Sequence, residues 1–346
     1  MTWDKSGYGA SGDKAVDAPA TTWYFAEGSQ GYFSTYVLLA NPRTSANTAT
    51  VTYLREGDTP VTRTYDLAPQ SRTTLDLGTD AALVGRSFGM QIQFAQPGVA
   101  ERSMYFGTTP LWKGGHESAG VTAPAADWLL AEGATGPFFE TFILLANPNP
   151  VDAETTVTFL PAGGSPVIKS KTIPANSRLT INIEPEDPAL ANVAVATQVH
   201  ASVPIVAERS QYWPDPAPQW YEAHNSFGIT TTGTKWGLAQ GRVGQTPSYQ
   251  SFILLANPGQ TPATVTVQFL REQGGAPFTK TFTVPATSRL NISITGAGSD
   301  VPELVDENFG AIITSDQPIA VERSMYANAN GLIWSAGTNA AASPLP

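Results

Sequence analysis

The sequence has no cysteine, no cluster of basic residues and no long hydrophobic run. Without cysteine there are no disulfide bonds, thiolate metal ligands or cysteine nucleophiles, although this absence leaves the cellular compartment open. No segment approaches the roughly 18–20 consecutive apolar residues that a membrane span requires. The formal net charge of −10, with no grouped Lys and Arg, also disfavours binding to nucleic acid or to an anionic membrane.

Glycine and proline are abundant, at 31 and 28 of the 346 residues, and the periodic runs of Glu, Lys, Leu and Ala that are typical of long helices are missing. With frequent Thr and Ser, this composition favours short β-strands joined by many turns. The length allows two or three domains, each large enough to bury its own core.

Five short motifs occur three times in the same order along the chain. Each unit has Trp-x-x-Ala-Glu/Gln-Gly, then Leu-Leu-Ala-Asn-Pro, a Pro-to-Ser-Arg turn, Glu-Arg-Ser, and a further Trp. The opening tryptophans are Trp23, Trp128 and Trp236, and the closing ones are Trp112, Trp220 and Trp334. A period of about 107 residues is too long for one element of a solenoid and fits an independent sandwich domain.

The repeat predicts a linker-like segment at residues 1–19, followed by modules at 20–124, 125–232 and 233–346. The segment that closes a module is also interpreted as linker-like, because Trp112-x11-Pro124 matches Trp334-x11-Pro346. A looser copy, Trp3-x15-Pro19, stands before the first module. Residues 1–19 therefore either pack on the first module as a cap or serve as a strand for a neighbouring chain.

Strand signals alternate with turn signals within each unit. Thr155–Leu160, for example, alternates β-branched and aromatic residues as a half-buried strand does. Asp80–Val84 and Pro302–Glu307 have a composition that also allows a short helix, and each is predicted to form one turn that crosses between the sheets. The predicted fold class is all-β, with three tandem antiparallel β-sandwich modules packed in the immunoglobulin or fibronectin manner. The asparagines expected to end strands by bonding their local backbone are Asn41, Asn147 and Asn257.

The order of these motifs resembles that of tandem immunoglobulin-like β-sandwich repeat modules in large secreted or cell-surface bacterial proteins. The similarity covers residues 20–346, and it rests on the Trp-x-x-Ala-Glu-Gly, Leu-Leu-Ala-Asn-Pro and Ala-Glu-Arg-Ser-Met-Tyr segments. The resemblance implies an extracellular or cell-surface location and a stalk, spacer or adhesion role. It also implies other protein modules or cell-surface components as partners, and it supplies no catalytic motif to transfer.

The Glu-Arg-Ser triplets are the most conspicuous charged feature. They place charges at Glu101, Arg102, Glu208, Arg209, Glu322 and Arg323. Successive side chains of a strand point to opposite faces, so the Glu and Arg of one triplet cannot both line one pocket. We therefore expect structural ion pairs between these residues and other fixed charges of the same module. Candidate partners are Arg72, Arg178, Arg289, Glu27 and Glu132.

Histidine and carboxylate groups form no catalytic or metal-binding motif. His116 and His224 lack the first Gly of a nucleophile elbow and the second His of a zinc-protease helix. We expect both to bond backbone groups within linkers. No cofactor is predicted, although Ca²⁺ stays an alternative because acidic residues cluster at Glu184–Asp187 and Asp300–Glu307 without an EF-hand spacing.

The closing tryptophans lie in Pro- and Gly-rich stretches, and two interpretations of them stay open. Trp112, Trp220 and Trp334 either plug the contact between consecutive modules or stack on sugar rings through their flat apolar faces. The run from Trp213 to Tyr221 is particular to the second unit and is the best candidate for an exposed ligand patch.

The leading hypothesis is a non-enzymatic extracellular structural or adhesive array of modules. One alternative is a carbohydrate-binding array that uses the closing aromatics. The other is a filament subunit, in which head-to-tail self-association proceeds by exchange of the N-terminal strand. An enzyme is not expected, since the sequence has no catalytic pair, phosphate loop or set of metal ligands.

Overall fold

The computed structural model describes residues 11–12, 15–108, 111–214, 220–244, 248–272, 274–296, 298–329 and 331–346. Its regular structure is almost entirely β-strand, in three antiparallel assemblies that follow one another along the chain. We name these assemblies modules 1, 2 and 3. The predicted fold class, all-β with three tandem antiparallel β-sandwich modules, is therefore confirmed.

The strands of module 1 are β1 (Ala20–Phe25), β2 (Phe33–Asn41), β3 (Asn47–Arg55), β4 (Val61–Leu67), β5 (Ser71–Asp76), β6 (Phe88–Thr108) and β7 (Leu111–Ala119). Those of module 2 are β8 (Ala125–Leu130), β9 (Glu140–Asn147), β10 (Ala153–Pro161), β11 (Val167–Ile173), β12 (Ser177–Asn182), β13 (Val195–Trp213) and β14 (Glu222–Phe227). Those of module 3 are β15 (Gly233–Val243), β16 (Tyr249–Asn257), β17 (Ala263–Arg271), β18 (Phe278–Val284), β19 (Ser288–Ile294), β20 (Glu307–Ala329), β21 (Leu332–Ala341) and β22 (Ser343–Pro344). Short 3-10 helices lie at Leu77–Thr79, Glu184–Glu186 and Pro188–Leu190.

One long strand in each module belongs to both of its sheets. In module 1 the first part of β6 pairs with β1 and β3, and its second part pairs with β2 and β7. β4 extends the first sheet beyond β3, and β5 extends the second beyond β2. Modules 2 and 3 repeat this arrangement around β13 and β20.

Each module buries its own apolar core between its two sheets. In β3 the side chains alternate between buried residues such as Val51 and half-exposed threonines, which is the period of two that a half-buried strand requires. The opening tryptophans belong to these cores, and backbone carbonyls accept from their indole N–H groups. Trp23 donates to Gly98 O at 2.9 Å, and Trp128 donates to Ile205 O at 2.9 Å.

The closing segments form strands, so the interpretation of Trp112–Pro124 and Trp334–Pro346 as linker-like is wrong. Both tryptophans lie in strands, β7 and β21, that pair with the long strand of their own module. Glycine obscures the strand pattern in these segments because it has low β propensity. It is needed here for close packing, since a Cβ atom at Gly115 would lie 2.5 Å from Met104 O.

The turns predicted at Asp80–Val84 and Pro302–Glu307 are present, but neither segment contains a helix. In the first the Leu83 N–H donates to Asp80 O at 2.9 Å, and in the second the turn lies at Pro302 and Glu303 while Glu307 already begins β20. The 3-10 helix of module 1 forms just before the first of these turns, at Leu77–Thr79.

The asparagine of each Leu-Leu-Ala-Asn-Pro motif is buried and ties a loop to a neighbouring strand. Asn147 Nδ2 donates to the carbonyls of Val151 at 2.8 Å, Ile173 at 3.1 Å and Pro174 at 3.2 Å. Its Oδ1 accepts from the Asn149 N–H at 3.0 Å. The predicted local bonding is confirmed, and the amide also holds the end of β11.

We expect Asn147→Ala to lower the free energy of unfolding by about 2–3 kcal/mol, because several partly buried backbone groups would lose their partner. Urea unfolding measures this loss. Asn257 makes the same set of contacts in module 3. Asn257→Ala is therefore expected to cost a similar amount, and a loss below about 0.5 kcal/mol at both positions would contradict the assignment.

Candidate functional site

The charged triplets lie where consecutive modules meet. Arg102 is fully buried in module 1, and its Nη1 lies 2.8 Å from Glu208 Oε2 of module 2. The other Glu208 oxygen accepts from the Ala26 N–H of module 1 at 2.6 Å. Within its own module, Arg102 also donates to the Glu27 carbonyl at 2.8 Å and lies 3.3 Å from the Glu27 carboxylate.

The contact between modules 2 and 3 repeats this geometry. Arg209 Nη1 lies 2.9 Å from Glu322 Oε2, and the Ala131 N–H donates to Glu322 Oε1 at 2.6 Å. Arg209 also donates to the Glu132 carbonyl at 3.3 Å. We call each of these two contacts a junction. Each junction joins an Arg and a backbone N–H of one module to the Glu of the next.

The predicted ion pairs exist, but most of them cross between modules. Glu208 faces module 1 whereas its neighbour Arg209 faces module 3, as the alternation of a strand requires. Pairing within a module is found for Arg102 with Glu27. It is wrong for Arg178, which lies 3.2 Å from Glu56 of module 1, and for Arg289, which lies 3.5 Å from Glu132 of module 2. The side chains of Arg178 and Arg289 project from the sheet face opposite the core of their own module. They are therefore buried by a neighbouring module.

Burial and fixed charge oppose each other at the first junction. Burial raises the pKa of Glu208, and Arg102 acts against that rise. Burial also opposes ionisation of Glu27, but His116 and Arg102 outweigh it and lower the pKa of Glu27. For Arg102, burial is outweighed by Glu208 and Glu27, which raise the pKa of the guanidinium. The positive group of this cluster is therefore held firmly in its charged form.

Two histidines complete the junctions. His116 of β7 is fully buried, and its Nε2 lies 3.3 Å from Tyr212 Oη of module 2. His224 of β14 stands 3.2 Å from Tyr326 Oη of module 3 in the same way. The expectation that these residues bond backbone groups within linkers is wrong, because their segments are strands. Burial lowers the pKa of His116 to about 4 and that of His224 well below its usual value.

An apolar cluster with residues of both modules also lies at each junction, and sequence reasoning missed it. Around the first junction the cluster consists of Ala26, Leu54, Leu144, Ala146 and Val206. Around the second it contains Leu129, Ala131, Leu160, Ala196, Leu254, Ala256 and Ala320. The sequence did hold a signal, because two consecutive Leu residues on a strand must point to opposite faces and one of them leaves the core.

The closing aromatics also pack at the junctions. Trp220 is buried and stacks on Tyr212 at 4.5 Å, with Phe33 of module 1 at 6.2 Å. Trp334 stacks on Tyr326 at 4.7 Å and on Phe139 of module 2 at 5.5 Å. Trp220 and Trp334 therefore pack in the contacts between consecutive modules, as one of the two interpretations predicts. Trp112 stacks on Tyr105 at 4.6 Å but is only half-buried.

The prediction of an exposed patch between Trp213 and Tyr221 is wrong for the residues of that run that the structure describes. Trp213 is fully buried, and its indole N–H donates to Trp334 O at 2.6 Å. Tyr221 donates its hydroxyl to Ile333 O at 2.5 Å. With Trp220 buried as well, neither tryptophan offers a free ring face to a sugar. The intervening residues 215–219 lie outside the described residues.

Four of the acidic residues considered for Ca²⁺ pair with basic side chains. Glu186 lies 2.7 Å from Lys171, and Asp187 lies 3.1 Å from Lys169. In module 3, Glu303 and Glu307 pair in the same way with Lys280 and Arg271. Over the described ranges, no group of three or more His, Asp or Glu side chains is placed to hold a metal ion.

Comparison with known proteins gives distant structural likenesses. No family model and no curated protein match the chain. The Thermotoga maritima 1070 structure matches at 16% identity with a TM-score of 0.28, over 30% of this chain and 94% of that one. The Anabaena sensory rhodopsin transducer matches at 27% identity with a TM-score of 0.22, over 24% and 92%. A tetra-tandem repeat from the extending region of a large adhesion protein matches at 14% identity with a TM-score of 0.15, over 95% and 76%.

These TM-scores are too low to carry an argument about function. In the part of the chain that the structure describes, no helix is long and apolar enough to cross a membrane. The assembly is built of β-strands, and buried Arg–Glu pairs join its modules at both junctions.

Proposed function

We propose that this chain is a non-enzymatic structural or adhesive array, acting as a stalk or spacer of a secreted or cell-surface bacterial protein. The observation that supports the proposal best is the placement of the buried charges. Arg102 and Glu208 bind each other across one junction, and Arg209 and Glu322 bind each other across the next. A catalytic or ligand-binding site would present such groups in an open cleft. Here they hold one module against the next.

A spacer needs modules that keep a fixed relation to one another, and the junctions are suited to that task. Each junction combines a buried ion pair, a backbone hydrogen bond and an apolar cluster. The apolar part contributes affinity, while the ion pair accepts only one orientation because a misplaced buried charge is costly. We place the partners of the array among other protein modules or cell-surface components, outside the cell.

If the junctions fix the modules, the three modules should unfold together. Calorimetry is expected to show one transition whose calorimetric and van't Hoff enthalpies agree. Glu322→Gln weakens only the junction between modules 2 and 3, so we expect it to separate module 3 as a transition at lower temperature. Three independent transitions in the unaltered chain would contradict the proposed role.

A further inference from the structure

Each junction joins two different faces and is therefore a heterologous contact. We define the donor face of a module by the Ala N–H and the Arg that bond the neighbouring carboxylate, and the acceptor face by the Glu that receives them. Module 1 offers Ala26 and Arg102 to Glu208, and module 2 offers the equivalent pair to module 3. A contact of this kind, used twice among three modules, leaves one donor face and one acceptor face unmatched.

The unmatched donor face belongs to module 3. Ala239 is exposed there, whereas its counterparts in modules 1 and 2 are fully buried. Leu270 is 38% exposed, whereas its counterparts Leu54 and Leu160 are 1% exposed. Arg323 donates to a glutamine side-chain oxygen at 2.9 Å in place of a carboxylate, and burial lowers its pKa to about 10.

The unmatched acceptor face belongs to module 1. Glu101 is exposed, whereas its counterparts Glu208 and Glu322 are 0% and 2% exposed. Leu38 is half-buried where the equivalent leucines of modules 2 and 3 are buried. Trp112, on β7 of the same module, is also half-buried. The two unmatched faces thus carry opposite charges and complementary apolar groups.

Residues 11–12 lie between these two modules. The Glu117 N–H of β7 donates to Ser11 Oγ at 3.2 Å, and Thr338 Oγ1 of β21 donates to Gly12 O at 3.4 Å. Counted back from the prolines at 19, 124 and 346, Ser11 stands at the position of His116 and Thr338. Ser11 and Gly12 therefore hold the place that part of the closing strand of a fourth module would take.

The rest of that fourth place is open. A cavity of about 1350 Å³ lies next to the N-terminal segment, and its walls include Gln240, Tyr249 and Arg323 of module 3. Residues of modules 1 and 2 line it as well, among them Trp23 and Trp128. The cavity is thus lined by all three modules and reaches Arg323 of the unmatched donor face.

We propose that the place between modules 3 and 1 binds one further β-sandwich module of this same repeat. Its glutamate would receive the Ala239 N–H and Arg323, and its own Ala N–H and Arg would bond Glu101. Residues 11 and 12 would belong to its closing strand. The four modules would then form a closed ring of identical junctions. This inference rests on the proposed role as an array and names the partner of its two end faces.

A four-module chain tests the inference with the whole protein intact. A second copy of residues 20–110 is placed before residue 1. Residues 1–19 then follow this added copy in the position in which β7 follows β6 in module 1. Hydrogen exchange at the Ala239 amide is expected to slow by about tenfold or more, towards the rates of the Ala26 and Ala131 amides. An unchanged rate in a chain whose added module has protected core strands would overturn the proposal.

The matched control is Glu101→Ala in the added copy only. It removes the carboxylate that Ala239 and Arg323 would meet, so most of the added protection should be lost. The same substitution in the resident module leaves that carboxylate in place and should preserve the protection at Ala239. Equal effects of the two substitutions would argue against the predicted junction.

Two measurements without the added module keep the inference testable if that module does not fold. Deleting residues 1–18 removes Ser11 and should speed hydrogen exchange at the Glu117 amide of β7 about tenfold or more. An unchanged exchange rate would overturn the proposal that a fourth module binds between modules 3 and 1. Sedimentation of the unaltered chain should show monomers. If the unaltered chain formed dimers and Glu101→Ala abolished them, the two unmatched faces would bind between copies of the chain. That result would also overturn the proposal. None of these results alters the single unfolding transition on which the proposed role depends.

Discussion

Glu208→Ala is expected to lower the free energy of unfolding by about 3–5 kcal/mol, because it removes the nearer of the two carboxylates of a buried guanidinium and the acceptor of a buried backbone N–H. Glu208 is fully buried and binds both Arg102 and the Ala26 N–H of the neighbouring module. Arg102 would retain Glu27 at 3.3 Å, but the backbone N–H would lose its acceptor. Urea unfolding followed by tryptophan fluorescence measures the change.

The repeat supplies its own controls for this prediction. Glu101 occupies the same motif position in module 1 but is exposed, so Glu101→Ala should change stability by no more than about 0.5 kcal/mol. Glu322 is buried in the second junction, and Glu322→Ala should resemble Glu208→Ala. Similar small losses at Glu101 and Glu208 would show that the junction does not stabilise the chain.

A double substitution separates the ion pair from the rest of the junction. When both members are replaced by apolar residues of similar size, no uncompensated charge remains, so Arg102→Met with Glu208→Met should cost less than the two single changes added together. We expect a coupling energy of about 1–3 kcal/mol between the two positions. Strict additivity would mean that the contact at 2.8 Å contributes no energy of its own.

The fold was predictable because its signals are local and occur three times. The alternation in Thr155–Leu160 predicts a strand, and β10 (Ala153–Pro161) contains it. Asn147 follows the apolar run of β9 and is the last residue of that strand. Periodicity shows which residues share a face and turn residues show where the chain reverses. Together they predict sandwiches, but they do not predict which faces of different sandwiches meet.

The burial of the junction charges was not predictable from their local sequence. Glu101, Glu208 and Glu322 all stand in the same Glu-Arg-Ser motif, yet the first is exposed and the others are buried. The difference comes from a neighbouring module, and the contact of Glu208 with Ala26 spans 182 positions. An outward-pointing glutamate on a strand is usually solvated, so the pattern by itself favours the wrong environment for two of the three.

The burial of Trp213 was not predicted, because it depends on a glycine of another module that leaves space for the tryptophan ring. Its Pro-rich surroundings are typical of an exposed loop. In the structure its ring packs against Gly337 of module 3, where a Cβ atom would lie 2.7 Å from Trp213 Cη2. A glycine in one module that accommodates a tryptophan of another leaves no periodic signal in the sequence.

Lowering the pH from 7 to 5 is expected to destabilise the chain by about 2 kcal/mol through His116 alone. Burial holds its folded-state pKa at about 4, below the ordinary value of 6.5. Below pH 6.5 the unfolded chain binds a proton there and the folded chain does not, so stability falls by about 1.4 kcal/mol per pH unit until the pH reaches about 4. The lowered pKa of His224 acts in the same direction.

His116→Thr with His224→Thr should flatten this pH dependence, because threonine stands at the equivalent position in module 3 and does not titrate. The double variant is expected to be less stable at pH 7, since both contacts with tyrosine hydroxyls are lost, yet to lose less stability on going to pH 5. His200→Gln is the matched control, because His200 is exposed and pairs with Asp127 away from the junctions. Urea unfolding at pH 7, 6 and 5 distinguishes the variants. If the double variant kept the full pH dependence, other groups would have to be responsible for it.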